Sequence, residues 1–521
     1  MSAFALLSIF LLQSAPAAAE PAHAHGSVVE LQLSGRREAA KFNDLDGDGR
    51  ADLVAVVSRA AVIAVQTPFF SYLLPQQLSN RTQRRIEVFW NTPDGFQQDA
   101  KTTFVVPRSA RFFSIADVAA APGKEIIIFT KNGVRGVTPQ KADREFHSSS
   151  EFVTFAKAPS FFDYPSETAL PFWNVIIYGN KPAQDSVVVP VPGGFQILRP
   201  SGDGKTLVTV EEFTLTSIKT AESSSNRFFG VNKTLPRPFI ADIDGDGHAD
   251  FFMCDPSGAP QMIVYLGKAN GRFAREAAVR PSPSLKREFR NDSITFETAE
   301  AVDLNHDGIC DFIVSRTEGN IGLWDTLTTS QLIYYGRKGS AGYDPTPDQV
   351  VSSAGVSIVP RAIDFDGDGF YDLLVSSYRT DLLSNIKNAV LNSARVSYFI
   401  FLMDGGKYSK NPTVQRDVDL DFKVLERGGL MARAYFDGDF DGDGVKDLLA
   451  VEEERRVAAY RGQLRKATFL QKAGYDFAND PMMVIALRAP SDLEVADLDG
   501  DKRAEIIFPD ARSIRIVTYK P

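Results

Sequence analysis

The chain repeats one acidic, glycine-rich nonapeptide six times, and each copy runs directly into a short stretch of β-forming residues. The copies begin at Asp44, Asp242, Asp303, Asp364, Asp439 and Asp497. The first reads Asp44-Leu45-Asp46-Gly47-Asp48-Gly49-Arg50-Ala51-Asp52 and continues into Leu53-Val54-Ala55-Val56. Side-chain oxygens at positions 1, 3, 5 and 9 suit a hard cation that takes several oxygen ligands. Glycine at position 6 allows a sharp backbone turn. Asp and Gly are common in plain turns as well, but plain turns need no acids at four fixed positions.

The candidate metal ligands are Asp44, Asp46, Asp48 and Asp52 in the first loop, and Asp242, Asp244, Asp246 and Asp250 in the second. Asp303, Asn305, Asp307 and Asp311 follow, then Asp364, Asp366, Asp368 and Asp372. The last two sets are Asp439, Asp441, Asp443 and Asp447, and Asp497, Asp499, Asp501 and Glu505. Such donors favour calcium, magnesium or manganese over zinc or copper. A flexible loop favours calcium, because magnesium demands near-octahedral geometry. Five to six calcium ions are expected. The third copy has Asn305 for an Asp and His306 for a Gly, and the amide oxygen still ligates. In the last copy Lys502 replaces the position-6 glycine and Glu505 the final Asp, which weakens that site.

An EF-hand would need a bidentate Glu at position 12. That place is held by Ala55, Met253, Val314, Val375 and Ala450 in the five best copies. These residues lie in short apolar runs that read as buried strands, so the loops connect strands. Asp242, Asp303 and Asp364 are 61 residues apart, and fixed spacing marks a repeat architecture. The long step from Asp44 to Asp242 has room for two further units. One runs through Asp117 into Glu125–Phe129 without the middle ligands. In the fainter one, Trp173–Ile177 and Asp185–Val189 bracket a loop that keeps only Asp185.

About sixty residues holding four antiparallel strands is a propeller blade. The fold expected is all-β, a β-propeller of eight four-stranded blades, or seven if the faint third unit is an elaboration. The last unit has only three strands, while an orphan strand, Val28–Leu33, opens the chain. Pairing the two closes the ring and removes an exposed edge.

The units resemble the FG-GAP/VCBS repeat family, found in integrin α-subunit propellers and in secreted bacterial proteins. The resemblance rests on the acidic loop, the strand after it and a third-strand signature. That signature is seen in Val264-Tyr265-Leu266-Gly267 with Asn270-Gly271-Arg272-Phe273, and in Val88-Phe89-Trp90-Asn91 with Asp94-Gly95-Phe96. It implies a calcium-bound propeller over about residues 27–521, weakest over about 139–236, and implies no single activity.

Residues 1–19 hold an apolar core, Phe4–Leu12, then Pro16-Ala17-Ala18-Ala19, which reads as a signal peptide. The expected destination is secreted, periplasmic or cell-surface. No later run is long enough to cross a bilayer. The formal charge is −9, and about a third of the 66 acids sit in the six loops. Six divalent ions would bring the holo chain close to neutral. No basic stripe with interleaved aromatics suggests nucleic acid. Two cysteines, Cys254 and Cys310, fall in adjacent units, either as one bridge or as two thiols.

Insertions are expected at about 67–85 and 378–395, the second with helical spacing at Leu382, Leu383, Ile386 and Val390. The chain has five histidines, two of them, His248 and His306, inside acidic loops. No nucleophile elbow or zincin helix is present, so no catalytic residue is nominated. The expected role is an exported binding, adhesion or protein-interaction module with structural calcium and a protein or glycan ligand. The alternative is a carbohydrate-active enzyme, a lyase or hydrolase built on the same ring.

Overall fold

The computed structural model describes residues 26–520 apart from 60–82, 101, 120–122, 141–144, 147–152, 158–169, 179–184, 192, 203–205, 216–218, 226–227, 235, 256–260, 283–286, 290–292, 321–326, 341, 358–359, 379–392, 422–433, 454–455, 466–473 and 488–492. The leader and nearly all of both expected insertions, with the expected helix, lie outside these residues. Among the described residues there is no helix; the regular structure is all strand.

Eight antiparallel blades follow one another along the chain. Blade one comprises Arg36–Asn43, Asp52–Arg59, Gln83–Phe89 and Thr102–Val105. Blades two and three, the two faint units, are complete: Ala110–Ala116, Glu125–Thr130, Gly133–Val137 and Val153–Ala156, then Ile176–Ile177, Ser186–Val191, Gly194–Pro200 and Leu207–Thr214. Blade four is Phe239–Ala241, Asp250–Cys254, Gln261–Tyr265 and Ala278–Pro281. Its outer strand begins only at Ala278, although the sequence reads as a fourth strand from Arg272 to Val279, because Phe273 is pulled inward and buried, bridged to Gly267. Blade five gains a fifth strand, Arg287–Phe289. Blades six and seven follow, and an extra hairpin, Lys219–Ser225 with Phe228–Thr234, stands between blades three and four.

Blade eight contains Glu494–Ala496, Glu505–Pro509 and Ser513–Tyr519, and its outer strand is the N-terminal Gly26–Gln32. That strand pairs antiparallel with Ser513–Tyr519 over its full length, from Gly26 opposite Tyr519 to Gln32 opposite Ser513. The count is eight, and the two ends of the chain share one sheet.

Packing follows from strand geometry. Successive side chains of a strand face opposite sides of its sheet. The second strand of every blade is apolar on both sides because both are covered by neighbouring blades. In blade four, Phe251 packs toward blade three and Phe252 toward blade five. Eight buried clusters result, one per seam around the ring. The last joins Leu31, Ile507, Ile514 and Ile516 of blade eight to Leu53, Ala55, Val57 and Phe89 of blade one. The structure is thus a closed β-propeller. The cysteines, at the seam of blades four and five, are unpaired thiols, and burial pushes Cys254 up to about 11 and Cys310 up to about 12.

Leu31 is fully buried in the closing seam. Its replacement by Ala should cost about 2–5 kcal/mol of stability. Removing residues 1–32 should leave Ser513–Tyr519 as an open edge, giving self-association in light scattering and a less cooperative melting transition. A monomeric truncation that melts like the full chain would contradict this closure.

Candidate metal centre

The six acidic loops share one backbone path. At position 1, Oδ1 of the Asp accepts the position-4 N–H in five loops, as from Gly245 to Asp242 at 2.7 Å, while Oδ2 accepts the position-6 N–H in all six. The position-3 side chain accepts from the position-5 N–H, and position 5 from position 7, as in Asp246 from its partner at 2.8 Å. Positions 4 and 6 are both left-handed: Gly245 has φ 72° and Gly247 φ 86°. Sequence reading recognised this demand at position 6 alone. His306 (φ 53°) and Lys502 (φ 74°) adopt it without being glycine, so the third and sixth loops keep the common shape.

Position 9 opens the second strand in register with the end of the first, as with Asp52 opposite Asn43, Asp250 opposite Ala241 and Asp372 opposite Ile363. Its carboxylate is a buried strut. One oxygen accepts the position-2 N–H at 2.7–3.0 Å in all six loops. In five of them the other accepts an N–H at the end of the third strand: Asn91, Gly267, Gly336, Met403 and Gly462. At Gly267 the approach leaves no room for a side chain, since a Cβ would lie 2.3 Å from the Ala249 carbonyl oxygen, whereas Asn91 and Met403 make the same bond with one.

Carboxylate oxygens at positions 1, 3 and 9 lie within 4.8 Å of one another in the sets Asp364/Asp366/Asp372, Asp439/Asp441/Asp447 and Asp497/Asp499/Glu505. Positions 1, 3 and 5 do so in Asp44/Asp46/Asp48 and Asp242/Asp244/Asp246. In those two loops Asp52 and Asp250 stand apart as struts, and in the other three Asp368, Asp443 and Asp501 lie outside the close set. In the third loop the Asn305 amide donates to Asp307 at 3.1 Å. These sets of hard oxygens fit a divalent cation.

Electrostatics point the same way. Burial pushes Asp52, Asp311, Asp372, Asp447 and Glu505 up to about 7 and Asp250 to about 6, against the backbone N–H groups that lower them. Neighbouring loop carboxylates raise them further. A bound cation would reverse that repulsion.

Three tyrosines complete the loops and were not legible as such in the sequence. The hydroxyls of Tyr343, Tyr408 and Tyr475 donate to the position-8 carbonyls of Cys310, Tyr371 and Lys446. Tyr343 and Tyr475 directly follow a glycine and Tyr408 lies two residues after Gly406, each some thirty residues beyond its loop. The signal in the sequence is an aromatic residue one or two places after a glycine, matched in blade four by the buried Phe273 after Gly271. His306 stacks edge-on against Tyr371 with ring centroids 4.6 Å apart.

Position 8 also ties blades together. Its N–H donates to a loop carbonyl of the preceding blade: Ala51 to Leu498, Lys124 to Leu45, Cys310 to Asp242, Tyr371 to Leu304, Lys446 to Phe365 and Ala504 to Asp439, all at 2.7–3.0 Å. In blade three Asp185 takes this place, donating to Asp117 at 3.1 Å, and Ser186 stands where other blades put the strut. Blade two keeps a strut without the ligands. Glu125 is fully buried and accepts from Val118 and Ala119 at 2.8 and 3.0 Å.

Lys502→Gly should stabilise the protein by about 1 kcal/mol, since a side chain in the left-handed region costs about 1–2 kcal/mol and glycine's unfolded-state entropy returns part of that. The check is the urea midpoint, and a destabilised variant would contradict the shared loop path. Burial raises Glu125 from 4.5 to about 8. The folded state therefore holds this proton when the unfolded chain has lost it. Stability from this group is complete below about pH 4.5 and is lost as pH rises toward about 8. Glu125→Gln should flatten that part of the stability profile between these limits.

A family model described as an FG-GAP-like repeat matches residues 242–314 and 439–508. Each match runs from an acidic loop to the second strand of the next blade. No curated protein matches the chain. Among solved structures, the WD40 domain of SCAP from fission yeast is similar at 10% identity and TM-score 0.38, covering 95% of each chain. A protein from Lactobacillus plantarum is similar at 10% identity and TM-score 0.27, over 78% of this chain and 95% of its own. Two segments of the chain thus match FG-GAP-like repeats, and its sheets form an eight-bladed β-propeller.

Proposed function

We propose that this is an exported, calcium-stabilised propeller that acts as a binding or adhesion module for a protein or glycan ligand. The observation that supports it most is the recurrence of one loop geometry six times, each with a buried strut carboxylate and close acidic partners. Calcium has a structural role in this reading. It neutralises the loop, and through the strut it fixes the second and third strands of the blade. All 24 ligand candidates named from the sequence, Asp44 through Glu505, belong to these loops. Export supports the choice of ion, because extracellular modules work with weak calcium sites. The apolar segment Phe4–Leu12 with Ala17-Ala18-Ala19 supports export. The binding role is supported by the repeat family and by a rigid ring that presents loops on two faces. Among the described residues no helix is long and apolar enough to cross a membrane.

Because empty loops crowd carboxylates, ion binding and folding are coupled. Excess chelator should lower the melting temperature by ten degrees or more, and calcium at millimolar concentration should restore it. A melting curve indifferent to chelator would contradict the calcium reading.

A further inference from the structure

Seven of the eight blade junctions are closed on the loop-bearing face by the position-8 backbone bond described above. The junction between blades three and four has no such bond among the described residues. It opens instead into a cavity of 740 Å³. From blade three the wall carries Tyr178 and Arg199, and from blade four His248, Lys268 and Asn270. No acidic residue lines it among the described residues, in a chain whose other loops are dominated by acids. The cationic side chain on the blade-three wall has a local cause. Ser186 replaces the strut carboxylate, and Arg199 Nε donates to its hydroxyl at 3.1 Å. Arg199 Nη2 donates across the junction to the Gly271 carbonyl, which holds the guanidinium at the cavity wall.

We propose that this cavity binds an acidic saccharide, with its carboxylate held by Arg199 and Lys268. A guanidinium fixed by two bonds is pre-organised for a carboxylate, and Lys268 supplies a second positive charge. Tyr178 is 66% exposed and offers a ring face for the C–H face of a sugar. Asn270 and His248 add polar partners for hydroxyls. The volume lies in the range of small-ligand sites and holds two to three sugar rings. The polar lining disfavours a purely apolar ligand.

The proposal rests on the binding role proposed above, and because Gly247 and His248 of the cavity wall belong to the Asp242 loop, it is tested at saturating calcium, where failure here leaves the melting experiment unaffected. Titration calorimetry would compare a glucuronate-bearing trisaccharide with its carboxyl-reduced counterpart and with inorganic phosphate. Saturable one-to-one binding of the acidic sugar, at least tenfold weaker for the reduced sugar, is expected. Lys268→Ala should weaken that binding at least tenfold with an unchanged melting temperature, and Lys268→Arg should retain it. Absence of binding, equal binding of the reduced sugar, indifference to Lys268→Ala, or full competition by equimolar phosphate would each overturn the proposal.

Discussion

The buried carboxylate at the ninth position of each loop is the interaction on which the rest of this structure depends. It takes an N–H from the loop on one oxygen and, in five blades, an N–H from the third strand on the other. Three elements of a blade therefore meet on one side chain. An unpaired backbone donor buried at this point would cost about as much as a lost hydrogen bond. The cost of the strut is its own charge, which burial and neighbouring acids oppose. Blade two shows the loop-side half of the strut persisting alone: one oxygen of Glu125 keeps bonds from the loop N–H groups although the middle acids are gone. Loop shape and ion chemistry are thus separable, and the acids at positions 1, 3 and 5 are what the strut's geometry alone does not require.

From the strut outward, each blade is incomplete by itself. Its second strand is apolar on both faces, and each face is covered only when a neighbour is in place. The eight seams then form a cycle, and a cycle needs a closing step. Gly26–Gln32 provides it by hydrogen-bonding to the last strand of the chain while burying Leu31. Contacts so distant in sequence come late in folding, since loop closure must precede them.

The architecture was legible because its signals are local and repeated. Six loops entering apolar runs specified strand connectors, and the orphan strand opposite a three-stranded last unit specified the closure. Two weak units, around Asp117 and Asp185, resolved into full blades because their strands survive where their ligands do not. What escaped sequence reading is relational. Tyr343, Tyr408 and Tyr475 act on carbonyls about thirty residues upstream, and no local periodicity reveals that. Phe273 looks like the start of a strand but plugs a loop, which shifted a strand boundary. The left-handed demand at position 4 was hidden at His306, which is not glycine. Arg199 gives no local signal either, and it reaches the place opened by the loss of a strut at Ser186.

The ring is therefore not uniform: the intact loops concentrate acids, while the cavity between blades three and four sets Arg199 and Lys268 beside the Asp242 loop. In the calcium-bound state proposed here, the acidic loops are cation cages whose filling permits their buried struts to remain charged. Native mass spectrometry of the chain in calcium counts the ions held. Discrete additions ending at five or six calcium ions per chain are predicted, with Asp439→Ala removing one. A mass that stays at the ion-free value in millimolar calcium would contradict the account.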